Sequence, residues 1–454
     1  MLKFSKFVHF FEKDEAVAIF HALTRKVVFV CKTDLTRIAE ALSSDNTDDD
    51  TVAAIEYLLQ SGLIVTAEAD ESAELAKLQS KILQRPSIDT LYLLLTDNCN
   101  FACNYCFFKG SYCDPNEKLS DMTNEIAISS LRQFAKHLKK ASEYPDFKPS
   151  EPSVVFYGGE PFLNTEVFFA AVEEIAAMKK SGLLPNDLAI NINTNASLID
   201  DEIAAFCAKH EIEVDVSLDG YKSVNDACRV WRGNGKGTFD DIIRGIDILR
   251  VARTKTCISC TVSETNVDEL PAIFNWFLDG VGISNVGFNP LLNSHQYKID
   301  DPDYPQKVAT AMIKCFEIAR ERGIYEARMM RKVRSFVDDT IYDRDCCGCG
   351  KQMVVLPSGN IGVCHAYSGT GQYFIKSDEE FDPYQHQFWK EWSQRSPLNM
   401  PQCHGCEALT ICGGGCPHNA DINKGSIWEL DEHFCLHAKE TLRWLIWDLY
   451  EKTK

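Results

Sequence analysis

The feature that most constrains this 454-residue chain is where its cysteines fall. Of 19, three stand at Cys99, Cys103 and Cys106, nine lie between Cys346 and Cys435, and seven are scattered. Packing does not require such clustering, so the two groups need a chemical explanation. The opening stretch MLKFSKFVHFFEKDE is interrupted by Lys6, His9, Glu12 and Lys13, so it holds no apolar run of the signal-peptide kind. The protein is therefore expected to be cytoplasmic. Thiols stay reduced there, and dense cysteines point to metal binding or catalysis rather than disulfides.

Charge narrows the function further. Lys and Arg total 47 against 66 Asp and Glu, a net charge of −19. Non-specific nucleic-acid binding depends on neutralising phosphates with Lys and Arg, so a nucleic-acid partner is not expected. No run of 18 apolar residues occurs, so no membrane span is expected either. The length suits about three domains at roughly 150 residues each.

Hydropathy patterning divides the chain at about residues 80 and 325. Strand-like runs come first (Phe4–Phe11, Ala16–Phe20, Val27–Val30). Two helical runs follow, Leu35–Leu42 and Val52–Gln60, then a short strand, Leu63–Thr66. Ala67–Pro86 is Ala/Glu/Lys-rich and reads as a linker helix. From Leu91 onward six apolar strand runs (Leu91–Leu95, Val154–Phe156, Ala189–Ile192, Val214–Val216, Thr256–Val262, Val286–Phe288) alternate with amphipathic stretches such as Glu125–Leu138 and Thr165–Met178. That alternation predicts a parallel α/β sheet or barrel. Six units fall short of the eight of a full (β/α)8 barrel.

The segment LLLTDNCNFACNYCF places Cys99-x3-Cys103-x2-Cys106 just after the first of these strands. Three thiolates within eight residues can hold one iron–sulfur cluster, leaving one iron of a four-iron cluster open to a ligand. A structural zinc site is the bland alternative, with Cys113 available as a fourth ligand.

With Tyr105 before the last cysteine, the segment resembles the radical S-adenosylmethionine (radical SAM) enzymes. VVFYGGEPFLN is similar to that family's Gly-Gly-Glu strand end, here Gly158, Gly159 and Glu160. The resemblance implies that this strand end meets the amino group of S-adenosylmethionine. NINTNAS, with Asn195, resembles the next strand-end motif. VDVSLDG, followed by NDACR and GKGTF, implies Ser217 and Arg229 as contacts to the cofactor's ribose and carboxylate. Asn225 stands where the family usually has His. The implied fold is a partial (β/α)6 TIM-type barrel over about residues 81–325.

The second group reads Cys403-x2-Cys406-x5-Cys412-x3-Cys416-x18-Cys435, preceded by Cys349-x9-Gly359-x4-Cys364. Ser358, Gly359 and Asn360 supply a turn between two short strands, Val354–Leu356 and Ile361–Val363. This pattern resembles the SPASM extension of some radical SAM enzymes, and implies two auxiliary 4Fe–4S clusters in residues 326–454. By that resemblance Cys403, Cys406, Cys412 and Cys435 hold one. Cys364 and Cys416 hold the other with two of Cys346, Cys347 and Cys349, where Cys347 and Cys349 are preferred and Cys346 is the alternative. With the cluster at Cys99, Cys103 and Cys106, that makes three 4Fe–4S clusters plus S-adenosylmethionine.

The first eighty residues resemble the winged-helix-like leader-recognition element of peptide-modifying members, which adds an extended peptide to a sheet edge. The implied activity is maturation of a ribosomally made precursor peptide. One electron, from a donor such as flavodoxin or ferredoxin, cleaves the cofactor. The resulting 5′-deoxyadenosyl radical abstracts hydrogen from the peptide, leading to a C–C, thioether or ether cross-link. Sulfatase-maturing relatives carry Asp after the cysteine that follows the Gly-x4 step; here it is His365, a candidate base because its ordinary pKa lies near neutrality. Formylglycine formation of that kind is one alternative, and a non-catalytic zinc-binding interaction module is another.

Overall fold

The computed structural model describes residues 1–43, 48–108, 119–146, 151–294, 297–338, 340–376 and 381–454. The expectation that Cys113 serves as a zinc ligand falls outside these residues.

Fourteen strands are found among the described residues. Near the N-terminus lie β1 (Leu2–Phe4), β2 (Val8–Lys13), β3 (Ala16–His21), β4 (Val27–Cys31) and β5 (Ile64–Thr66). The run Phe4–Phe11 reads as one strand in the sequence, but it spans the end of β1 and most of β2. β1 pairs antiparallel with β5, whereas β2, β3 and β4 form a separate meander with β3 in the centre. Helices Lys32–Ala41 and Asp49–Gln60 pack on one face of that meander. Cys31 Sγ and Asp48 Oδ1 accept the first free amides of these two helices. Residues 67–86 are helical only over Glu71–Gln79.

β3 explains why this small unit does not stand alone. Its residues Val17–His21 are all buried, on both faces of the sheet. Ile19 packs toward the helices with Ile38, Leu58 and Ile64. Ala18 and Phe20 pack the other way, with Phe7 and Phe11, against Leu398, Leu409, Ile411, Leu442 and Ile446. The N-terminal unit is therefore seated on the C-terminal cysteine-rich region. Phe29 also contacts the rings of Tyr450 and Trp447 on the last helix, Glu432–Thr453, and Thr410 Oγ1 donates to the Ala22 carbonyl at 2.7 Å.

The main sheet follows the expected strand–helix alternation. β6 (Thr90–Leu94), β7 (Ser153–Tyr157), β8 (Ala189–Thr194), β9 (Glu213–Ser217), β10 (Lys255–Val262) and β11 (Val286–Pro290) lie side by side in chain order, all parallel. Six parallel strands match the six runs read from the sequence. The sheet does not end there. β12 (Gln352–Val355) pairs parallel with β6, and the antiparallel strands β13 (Asn360–Gly362) and β14 (Phe374–Lys376) extend it to nine. Gly359, with φ +85°, makes the turn between β12 and β13. Residues 326–454 are thus joined to the parallel sheet through backbone hydrogen bonds.

Candidate active site

Parallel strands deliver their C-terminal ends to one edge of the sheet. There the loop 96–106 leaves β6 and carries Cys99, Cys103 and Cys106. Burial raises the Cys99 thiol, and Glu160, Cys103 and Cys106 raise it further. Burial lifts Cys103 to about 12 against the opposing pull of Arg229, with Cys106 adding to the rise. Three half-buried thiols on one loop are a donor set suited to a cation, because metal binding removes their protons and stabilises the thiolates.

The loop is held by its neighbours' backbones. Gly159 N donates to the Thr96 carbonyl at 2.9 Å, and Glu160 N to that of Asn98 at 2.8 Å. A Cβ on Gly158 (φ +136°) would come within 2.6 Å of the Thr96 carbonyl oxygen, and one on Gly159 would overlap that of Asn98. The two glycines therefore let the second strand end touch the cysteine loop. On the other side, Ala102 N donates to the Val230 carbonyl at 2.8 Å, and Arg232 Nε to that of Cys99 at 2.9 Å.

Glu160 is fully buried. Its carboxylate accepts from Thr194 Oγ1 (2.7 Å), Asn195 N (2.8 Å) and Phe162 N (3.1 Å). Burial raises its pKa to about 7, although these donors pull it down. A buried carboxyl without a cation is what a strand end awaiting an ammonium would show. Asn195 Nδ2 donates to Asn100 Oδ1 at 2.8 Å, and Asn100 Nδ2 donates to Ser197 Oγ at 2.9 Å, so Asn195 also braces the cysteine loop. Ser217 ends β9 opposite Ser259.

Arg229, expected to contact the cofactor's carboxylate, makes paired hydrogen bonds to Asp219 within the protein. Nε lies 2.9 Å from one Asp219 oxygen and Nη2 3.0 Å from the other, while Nη1 is 4.0 Å from Cys103 Sγ. Burial works against the guanidinium charge, but Asp219, Tyr105 and Cys103 outweigh it and keep its pKa well above the usual value. Asp219 also accepts from the Tyr105 hydroxyl and from Thr261 N at 3.0 Å. Sequence reasoning passed over Asp219, although it stands inside the quoted VDVSLDG segment. A fully buried acid between a strand and a glycine is the signal that could have found it. Asn225, at the position usually held by His, donates to Thr238 Oγ1 at 3.2 Å and Asp226 Oδ1 at 3.1 Å.

The sheet face away from the helices is polar along β8–β11, carrying Asn191, Asn193, Glu213, Asp215, Ser259 and Asn289. Asp215 was also missed. Burial raises its pKa to about 7, with Glu213 adding to the rise. His365 sits nearby in an aromatic setting, its ring 5.1 Å from that of Tyr92, 5.3 Å from Tyr157 and 5.8 Å from Phe107. Burial, with help from His418, lowers it to about 4, so its imidazole is neutral.

The C-terminal cysteines separate into two neighbourhoods. After burial, the influences that raise Cys346 are Cys349, Cys416, Cys364 and Cys347, in that order. Cys347 is the exposed member of the trio, and its strongest charged neighbours are Asp89 and Lys351. Cys403, Cys406, Cys412 and Cys435 form the second neighbourhood, each raised by burial; Cys403 and Cys435 feel Cys406, and Cys412 feels Cys435. Between Cys412 and Cys416 the three glycines 413–415 all have φ near +70° to +80° (+77°, +83°, +67°), a turn closed to other residues without strain. Among the described residues no three His, Cys, Asp or Glu side chains converge as a single-ion site would require. No described helix is long and apolar enough to cross a membrane.

This α/β architecture, with its three-cysteine loop at the strand ends, defines a class. Residues 93–277 match the Radical SAM superfamily, and the chain carries a radical SAM domain. Such a domain implies a 4Fe–4S cluster and S-adenosylmethionine, and the clustered thiols, the glycine cradle and the unpaired Glu160 fit both. Among particular proteins, the chain is 24% identical over 373 residues to the radical SAM cyclopropyl synthase TigE of Paramaledivibacter caminithermalis, covering 79% of this chain and 74% of that one. It is 25% identical over 358 residues to a cysteine-type anaerobic sulfatase-maturating enzyme of Clostridium novyi, covering 74% and 90%. In fold it is similar to native anSMEcpe with bound AdoMet (TM-score 0.66, 19% identity, 80% of this chain and 98% of that one). It is also similar to Streptococcus suis SuiB bound to precursor peptide SuiA (TM-score 0.55, 16% identity, 96% and 100%).

Proposed function

We propose that the protein is a radical SAM peptide maturase that introduces an oxidative cross-link into a ribosomally made precursor peptide. The observation that carries this reading is the N-terminal meander. SuiB covers 96% of this chain and anSMEcpe 80%, a difference about the size of that unit. SuiB is the neighbour described with a precursor peptide. β4 has no strand on its outer side among the described residues. The hydrogen-bonded pairs His21–Lys26 and Glu15–Lys32 bracket the β3–β4 ladder. By alternation the backbone groups of Val27, Phe29 and Cys31 face outward, available to an added strand.

In this reading Cys99, Cys103 and Cys106 hold the cofactor-binding cluster. Gly158, Gly159 and Glu160 receive the ammonium of S-adenosylmethionine, and Asn195 and Ser217 flank it. Arg229, locked by Asp219, steadies the Cys103 side of the loop. When bound, the cluster and cofactor supply the hydrogen-abstracting radical. The polar sheet face positions the peptide and excludes water. His365, neutral and next to the cysteine loop, is the candidate proton acceptor. The electrostatic grouping supports Cys346 with Cys349, Cys364 and Cys416 for the first auxiliary cluster, in place of the Cys347–Cys349 pair favoured by spacing. Cys403, Cys406, Cys412 and Cys435 hold the second.

The test is anaerobic reconstitution with dithionite and S-adenosylmethionine. Release of 5′-deoxyadenosine is expected, and its persistence in Cys103→Ala would sink the assignment. Mass spectrometry of a co-expressed neighbouring peptide identifies the bond, and formylglycine in a sulfatase peptide would instead establish the maturase of that kind. About 12 iron atoms per chain, on the basis of three four-iron clusters, separate both from a zinc module.

A further inference from the structure

We propose that the Lys332 ammonium is the built-in counter-charge of the site formed by Cys403, Cys406, Cys412 and Cys435, and that it raises the reduction potential of the cluster held there. This rests on the reading above that these four thiols ligate a cluster.

Lys332 lies on the helix Ala327–Val337 and is 0% exposed. Its Nζ has no hydrogen-bond partner and lies 4.7 Å from the centroid of the Phe434 ring, next in sequence to Cys435. A buried ammonium without a partner is strongly unfavourable, and an apolar side chain of similar size would fill the place better. Burial pulls its pKa down in the metal-free chain; Asp345 and Cys412 favour its charge, and Arg328 and Arg331 oppose it. Asp345 is already engaged by the Tyr342 hydroxyl at 2.5 Å and by Arg331 at 3.9 Å. His437, also buried, has both ring nitrogens without a hydrogen-bond partner and so does not accept from the ammonium.

The remaining anionic partner is the cysteine set. Cys412 is among the groups that act on Lys332, and the Phe434 ring that the ammonium faces adjoins Cys435. With iron bound the four thiols become thiolates, and the ammonium acquires the negative neighbour it lacks. Other cations near these cysteines are differently placed. Arg395 is fully buried but its N–H groups go to the carbonyls of Ile427, Gly414 and Glu429. Lys439 is half-exposed and pairs with Glu407 at 3.6 Å. Lys332 has its donors unengaged. Adding one electron makes the cluster one unit more negative, so a nearby fixed positive charge favours the reduced state. The site is thereby set up to accept the electron that peptide oxidation releases.

The test is an EPR-monitored redox titration of the anaerobically reconstituted full-length protein, with dithionite as reductant. Lys332→Met should keep full iron and sulfide while one cluster loses at least tenfold in its reduced-to-oxidised ratio at fixed potential, a shift of about 59 mV to the negative. The other two components should not move. Lys332→Arg, which keeps the charge, should stay near the wild type. An unmoved midpoint in Lys332→Met, or an equal shift in Lys332→Arg, overturns the proposal. Lys332→Gln gives the same reading where Met fails to fold. Cys412→Ala probes the underlying assignment separately: it should remove about four iron atoms and the Lys332-sensitive EPR component together. Unchanged iron content there would defeat the assignment itself, and survival of the Lys332-sensitive component would overturn the counter-charge.

Discussion

The cysteine loop at the sheet edge and the C-terminal cysteine region solve the same problem by different means. The loop 96–106 is positioned by backbone, through amides of Gly159, Glu160, Ala102 and Arg232 or carbonyls facing them. The region from Cys364 to Cys435 is mostly short turns, and buried side chains hold it. Arg395 ties Ile427, Gly414 and Glu429 together; Arg344 joins Leu83 to Ser393; Trp389 Nε1 donates to the Gln352 carbonyl at 2.9 Å. Strand ends can place a loop largely through backbone bonds, with Asn195 and Arg232 adding side-chain braces. Chain without a ladder needs donors from side chains, and in this reading from the metal clusters too.

That contrast can be broken most sharply at Gly159. Gly159→Ala must push Asn98, and the cysteine loop with it, away from the strand end that follows β7, so cofactor cleavage should fall at least about 100-fold, the cost of misplacing reacting groups by about 1 Å. Assay of 5′-deoxyadenosine release checks this. Chelation of iron should separate the two regions next. Hydrogen exchange is expected to rise first over residues 364–435, while β6–β11 stay protected; uniform exposure would show that the sheet leans on the clusters equally. Arg395→Ala removes the donor shared by the carbonyls of Ile427, Gly414 and Glu429 and should cost about 1–3 kcal/mol for each buried acceptor left unpaired, with no rescue by Lys, which lacks the planar fork. Thermal unfolding of the reconstituted protein measures it.

The N-terminal unit provides a third case. Phe20→Ala opens a cavity between β3 and the last helix and should cost about 3–5 kcal/mol in denaturant unfolding. It should leave 5′-deoxyadenosine release intact and impair peptide modification.

The smallest effect is a pH dependence. His21 is buried, and its Nδ1 accepts from Leu23 N and Thr24 N, both at 3.3 Å. Burial lowers its pKa to about 4 despite Glu71 nearby. The folded value lies below the unfolded one of about 6.5, so the neutral form's stability is full above pH 6.5 and lost as pH falls toward 4. The loss is up to about 3 kcal/mol, and His21→Gln should flatten that slope in Tm against pH.

Much of the architecture was legible because it repeats at short range. Six apolar runs at strand length gave β6–β11, and Ser358–Asn360 gave the β12–β13 turn. The break between β1 and β2 was hidden inside the run Phe4–Phe11, where only pairing with β5 separates the two strands. Candidate residues were found where a spacing carried them, as with Cys99, Cys103, Cys106 and Gly158–Glu160. Asp219, Asp215 and Lys332 escaped because a single charged residue has no pattern; what distinguishes them is burial and what faces them.

The sequence by itself determined the cysteine spacing, the strand alternation and the strong negative charge. Those are properties of neighbours along the chain, written in the order of residues. Tertiary structure alone decided that Arg229 pairs with Asp219, that Cys347 is the exposed member of its trio, and that β12–β14 extend the main sheet. Each of these depends on which distant groups share a buried space, where a charge or a donor must find its partner or bear the desolvation cost.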